Sequence, residues 1–111
     1  MDADFDARLH SGDVDFDARD AELLRTVDAH GSLNAAATEL GRSYARAHQR
    51  LEALEDAFGP LVERRRGGAD GGGSTLTDAA HDLLAAFDRL EAGYESIAQS
   101  EEHVLEGWVV D

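Results

Sequence analysis

The stretch Ser32–Leu54, SLNAAATELGRSYARAHQRLEAL, decides the fold. Its apolar residues recur at helical spacing in two short runs separated by a glycine. The first predicted helix covers about Leu33 to Leu40, with Ser32 where an N-cap belongs. Gly41 follows; lacking a Cβ, it takes the left-handed backbone that ends a helix sharply. Ser43 is then placed to cap a second helix running to about Phe58. Ala47, Leu51, Leu54 and Phe58 fall on one stripe of that helix, its inward face. The outer positions carry Arg42, Arg46, His48 and Gln49, flanked by Tyr44 and Arg50. A short alanine-rich helix, a glycine turn and a helix with arginines outside have the form of a helix-turn-helix.

Length and composition bound what this motif can belong to. A chain of 111 residues makes one small domain with an appendage, and 42% hydrophobic residues allow only a modest core. There is no cysteine, which excludes a disulfide framework and a thiolate metal site. No apolar run approaches the length of a membrane span and no leader precedes a cleavage signal, so a cytoplasmic protein without membrane contact is expected.

The formal net charge of -14 ordinarily argues against a nucleic-acid partner. Its distribution changes the reading. Arg42 to Arg66 holds six arginines against four acids, whereas the rest of the chain holds four arginines against 20 acids, and there is no lysine. A lysine-free, acid-rich composition of this haloarchaeal kind suits work in concentrated salt. There the Debye length falls to about 3 Å at 1 M, so an anionic body repels phosphate only at short range. A local basic face can then still reach DNA.

Upstream, residues 1–17 read as an N-terminal extension. The segment DFDAR occurs at Asp4–Arg8 and again at Asp15–Arg19, an echo to which we attach no function in so Asp-rich a sequence. Gly12 and Asp13 mark a turn, and Val14–Phe16 alternates as a short strand, with the downstream hairpin as one available partner. Asp17 is placed to cap an amphipathic helix over Ala18–Ala29, whose apolar face includes Ala21, Leu23, Leu24 and Val27. Leu33, Ala36, Ala37 and Leu40 form the inner face of the next helix, and its alanines let the following helix cross closely.

Downstream, Gly59 and Pro60 stop the second helix of the motif. LVERRR then alternates as a strand, GGADGGG spans Gly67–Gly73, and STLT is a return strand. This is a β-hairpin with a glycine-rich tip, a wing. Cradling a nucleotide phosphate would require a helix directly after the glycines and a lysine, and the chain has neither. Arg64, Arg65 and Arg66 suit phosphate or minor-groove contacts as well as the protection of a strand edge. Thr77 caps a helix predicted over 78–101, on which Leu83, Phe87, Leu90, Tyr94 and Ile97 lie on a heptad-like seam. At roughly 35 Å this helix exceeds what a small domain needs for itself. We therefore expect it to pair with a second copy.

Gly31–Ala80 resembles the N-terminal winged helix-turn-helix of molybdate-responsive ModE-type regulators, and more distantly the LysR-type DNA-binding domain. The alanine-rich helix, GRSY, LVERR and a glycine-rich wing ending in LT carry the likeness. It implies a mainly α domain with a small hairpin, 18–77, followed by a dimerisation helix. It also implies that Ser43, Tyr44, Arg46, His48, Gln49 and Arg50 lie on or beside the DNA-facing surface, with Arg64–Arg66 in the wing. Such regulators continue into an oxyanion-binding barrel. Here residues 102–111, including VLEGWVVD, are expected to form a strand like that barrel's first, and no molybdate or other oxyanion site is expected within the chain.

No catalytic constellation stands out. His10, His30, His48, His81 and His103 show no metal-ligand spacing, and no nucleophile elbow is present. The expected function is therefore sequence-specific binding of double-stranded DNA by a homodimer, without enzymatic activity, metal or cofactor. Arg42 and Arg46 suit guanine edges and Gln49 adenine. The alternative is a winged-helix module that binds protein, its acidity matched to a basic partner.

Overall fold

The structure, a computed structural model, describes residues 6–65 and 73–110. The elements run in the order β1 (Leu9–Ser11), β2 (Val14–Phe16), α1 (Ala18–His30), α2 (Leu33–Glu39), α3 (Tyr44–Phe58), β3 (Val62–Arg65), β4 (Gly73–Leu76) and α4 (Asp78–Val110). The result is a winged helix followed by a long C-terminal helix.

Short polar side chains set each helix start. Asp17 accepts from the backbone N–H groups of Arg19 and Asp20, and Asp20 answers by accepting from the Asp17 N–H, a reciprocal capping box. The Ser32 Oγ accepts from Ala35 N–H at 3.0 Å and the Ser43 Oγ from Arg46 N–H at 3.2 Å. Thr77 Oγ1 caps α4 by accepting from Ala80 N–H. Gly41 carries φ +66° between α2 and α3, the left-handed turn expected of it.

The core gathers one face from every helix. Phe16, Leu23, Leu24, Val27, Leu54, Leu61 and Phe87 are its largest fully buried side chains. Ala36, Ala37 and Ala47 are also buried, so α2 and α3 meet through side chains with nothing beyond Cβ. Phe16 sits edge-on to both Phe58 and Phe87, with ring centroids 6.1 and 5.6 Å away.

Four expectations are corrected. Val14–Phe16 pairs with Leu9–Ser11 in its own antiparallel hairpin, Leu9 opposite Phe16, and not with the wing. From Ala7 onward the supposed extension belongs to the domain, because Ala7 and Phe16 are buried in the common core. Phe87, placed on the dimer seam, is a core residue of its own chain at 1% exposure; Leu83, Leu90 and Tyr94 pack partly against the same core, and Ile97 is exposed. Finally, Val104–Val110 is the last part of α4 and not a strand. A helix closes its hydrogen bonds within its own segment, whereas a strand needs a neighbour. No helix among the described residues is long and apolar enough to cross a membrane.

The wing is anchored to the body at three points. The Glu55 carboxylate accepts from Leu61 N–H at 2.8 Å and Val62 N–H at 3.3 Å, Thr77 Oγ1 donates to the Pro60 carbonyl, and Ser74 N–H donates to the Gly31 carbonyl. Beside that last bond a Cβ on Gly73 would lie 3.0 Å from the Gly31 oxygen, so only glycine fits without a shift.

Because Phe16 joins the N-terminal hairpin to α3 and α4, Phe16→Ala should destabilise the domain by about 3–5 kcal/mol. Urea denaturation measures this; a loss below about 1 kcal/mol would mean that the hairpin is not part of the core.

Candidate nucleic-acid interface

Helix α3 is fixed by its inner stripe and offers the opposite side to solvent. Ala47, Leu51 and Leu54 are buried, while Tyr44, Ala45, Arg46 and Gln49 are exposed. The outer row is therefore mostly polar, with alanine at position 45. Ser43 itself is exposed, but its hydroxyl is already engaged as the cap of α3. Tyr44 is 45% exposed and its ring lies 5.8 Å from that of His48, in a tilted arrangement. His48 Nδ1 approaches Glu52 Oε1 at 3.2 Å, one turn on. That contact leaves Nε2 as the ring atom free of this pairing.

Arg50 departs from its expected role. Its Nε and Nη2 each donate to an Asp20 carboxylate oxygen at 2.8 Å, and Nη2 also donates to the Asp15 carbonyl. This side chain ties α3 to α1 and β2. Asp20, only 3% exposed, is the buried charge that this bond serves. Burial works against its ionisation, but hydrogen bonds from Arg50 and from the Asp17 N–H hold the carboxyl below its ordinary range. The spacing of Asp17 and Asp20 carried the capping signal in the sequence; the long-range partner did not show there.

In the wing, Arg64 is exposed on β3, and Arg65 closes the strand opposite Gly73. Arg66 and the glycine-rich tip from 67 to 72 lie outside the described residues. The structure thus brings Arg42, Arg46 and Gln49 together at the start of α3 and puts Arg64 on a separate element. Among the described residues no three His, Cys, Asp or Glu side chains gather as a metal ion would require.

The Asp20–Arg50 bond yields a signed pH prediction. A carboxyl held below its unfolded value contributes stability above about pH 4 and loses it as pH falls through the lower folded value. Asp20→Asn should cost about 1–3 kcal/mol at pH 7, toward the low end because the Arg50 side chain is 40% exposed. The variant should also lack the part of the acid-induced loss that Asp20 causes. Urea titrations at pH 7 and pH 3 measure both; equal losses at the two values would contradict the assignment.

Comparison with known proteins agrees with this geometry. The profile of the bacterial regulatory helix-turn-helix protein, lysR family, matches residues 18–81, the span from the start of α1 to the start of α4. The chain is 38% identical over 84 residues to the molybdenum-pterin-binding protein MopB of Rhodobacter capsulatus, covering 75% of this chain and 31% of that protein. It is 40% identical over 80 residues to the transcriptional regulator ModE of Haemophilus influenzae, covering 71% and 31%. Against the molybdenum transport protein ModE of Azotobacter vinelandii it is 37% identical over 75 residues, covering 67% and 28%. The chain thus spans about three tenths of the length of these relatives. With the profile matched across more than half its length and the fold in agreement, the chain belongs to the lysR family of bacterial regulatory helix-turn-helix proteins.

Proposed function

We propose that this domain reads double-stranded DNA as part of a transcriptional regulator of the ModE type and works as a homodimer. The observation that carries the reading is the face of α3: Arg46 and Gln49 point outward, with Arg42 beside them, from a helix whose other side is locked in the core. In the major groove, Arg46 is suited to the O6 and N7 atoms of guanine and Gln49 to adenine. Arg64 in the wing holds the backbone and fixes register. The names of the relatives connect them with transcription and with molybdenum; to the residues described here we assign DNA and no oxyanion sensing. Such a role places the protein with the chromosome in the cytoplasm, and it calls for no catalysis.

Pairing is supported by α4. Its 33 residues extend over roughly 50 Å, and among the residues up to Ile97 whose burial is described the last buried one is Phe87 and the last partly buried one Tyr94. Beyond them Ile97 is 51% exposed. A second α4 along this part of the helix would cover that side chain and set two α3 helices for half-sites about 34–36 Å apart, or a multiple. A docking module for a basic protein partner is the less supported reading, since it gives the outward face of α3 no task.

Duplexes selected from a random pool in molar potassium chloride test the division of labour. Arg46→Ala should cost about 1–3 kcal/mol on the selected site and flatten the preference for it. Arg64→Ala should weaken selected and random duplexes alike and reduce the salt slope by about one. Matched losses on both duplexes for both variants would overturn the assignment. Pairing is tested by sedimentation: the wild type should run as a dimer and Ile97→Glu as a monomer, and a monomeric wild type would exclude the proposed pair.

A further inference from the structure

One residue of α1 stands in an electrostatically unfavourable place. Arg19 lies in the first turn of the helix, at the positive end of its dipole, where a cation is disfavoured. Among the described residues its guanidinium has no carboxylate within ion-pairing distance, whereas Arg8, Arg25 and Arg50 each have at least one. Arg42 and Arg46 are likewise without such a partner. These three lie together: with Arg50, the residues Arg19, Arg42 and Arg46 line one cleft of about 400 Å³ between the start of α1 and the start of α3. Arg42 reaches across it, with Nη2 3.5 Å from the Arg19 carbonyl.

The two acids of this cleft do not cancel its charge. Asp20 is held by Arg50, and Asp17 is engaged in capping α1, accepting from the Arg19 and Asp20 N–H groups. With Arg50 bound to Asp20, the lining keeps three further arginines, Arg19, Arg42 and Arg46, and both of its carboxylates already have donors. What is left is a concavity of net positive charge beside the outward face of α3, lined by arginines from both α1 and the α2–α3 turn. That is the chemistry of a tetrahedral oxyanion site.

We infer that this cleft receives one phosphate of the DNA backbone, and that Arg19 is a DNA contact contributed by α1. The inference rests on the DNA reading given above. It refines that reading by assigning Arg42 to the backbone with Arg19, which leaves Arg46 and Gln49 to the base edges. The contact then fixes α3 in the groove from its N-terminal side, while Arg64 acts from the wing.

The test compares Arg19→Ala with Arg89→Ala, a control that removes an exposed arginine from α4 with no carboxylate partner among the described residues. Removing a cation from the first turn of a helix should leave the melting temperature unchanged or slightly higher. On both selected and random duplexes Arg19→Ala should bind roughly five- to tenfold more weakly at moderate salt, with the salt slope reduced by about one. Arg89→Ala should match the wild type. If Arg19→Ala binds as the wild type does, with the same slope, the inference is wrong. If the wild type binds no duplex, the DNA reading fails separately, and the cleft is then tested with inorganic phosphate. Shifts of the Arg19 and Arg42 Nε–H signals on phosphate titration would show a site for a free oxyanion. Their absence would overturn the cleft as an anion site altogether.

Discussion

A helix can be read from outside only if its rotation about its own axis is fixed, and in this domain two interactions on the inner side of α3 fix it. The stripe of Ala47, Leu51 and Leu54 packs into the core. The bidentate bond from Arg50 to the buried Asp20, with its third contact to the Asp15 carbonyl, pins the flank. Apolar packing is tolerant of small rotations, but a two-point bond between planar groups is not. The pair also explains why β2 and α1 matter to the recognition face at all. Asp15 and Asp20 come from those two elements, and the capping box at Asp17 holds the first turn of α1 in place between them.

The distribution of ion pairs gives the acidic chain its working surface. Some arginines on the body are matched by acids, Arg8 with Asp6 and Asp15 and Arg25 with Asp88, while Arg89 on α4 is not matched among the described residues. Near the start of α3, Arg42 and Arg46 have no carboxylate partner among the described residues. In concentrated salt, screening would limit the repulsion between the acidic remainder of the surface and phosphate to a few ångströms. Binding by such a face depends on short-range fit more than on long-range attraction.

Much of this was legible in the sequence because it is local. Ser32, Ser43, Asp17 and Thr77 cap the helices they were expected to cap, and Gly41 makes the turn by its backbone alone. Pro60 and the glycines bracketing the wing mark the hairpin just as directly. The misreadings share another cause. Arg50 stands on the flank of α3 by spacing, and only the remote Asp20 shows that its guanidinium is bound to α1. Phe87 satisfies a heptad seam and a domain core equally well by spacing, and the choice was made by Phe16, distant in sequence. The β1–β2 hairpin has strands of three residues, too short for alternation to declare a partner. Val104–Val110 has strand-like composition, yet it continues a helix already nucleated upstream, where each further residue adds a hydrogen bond without paying the initiation cost again.

The most direct test of the account places a photoreactive benzoylphenylalanine at Ala45, on the outer row of α3, or at Ala85, on the exposed side of α4, and irradiates each protein on its selected duplex. If α3 lies in the major groove, Ala45 labels bases within each half-site and Ala85 labels none. Equal labelling from both positions, or a bound duplex that Ala45 never labels, would contradict the account.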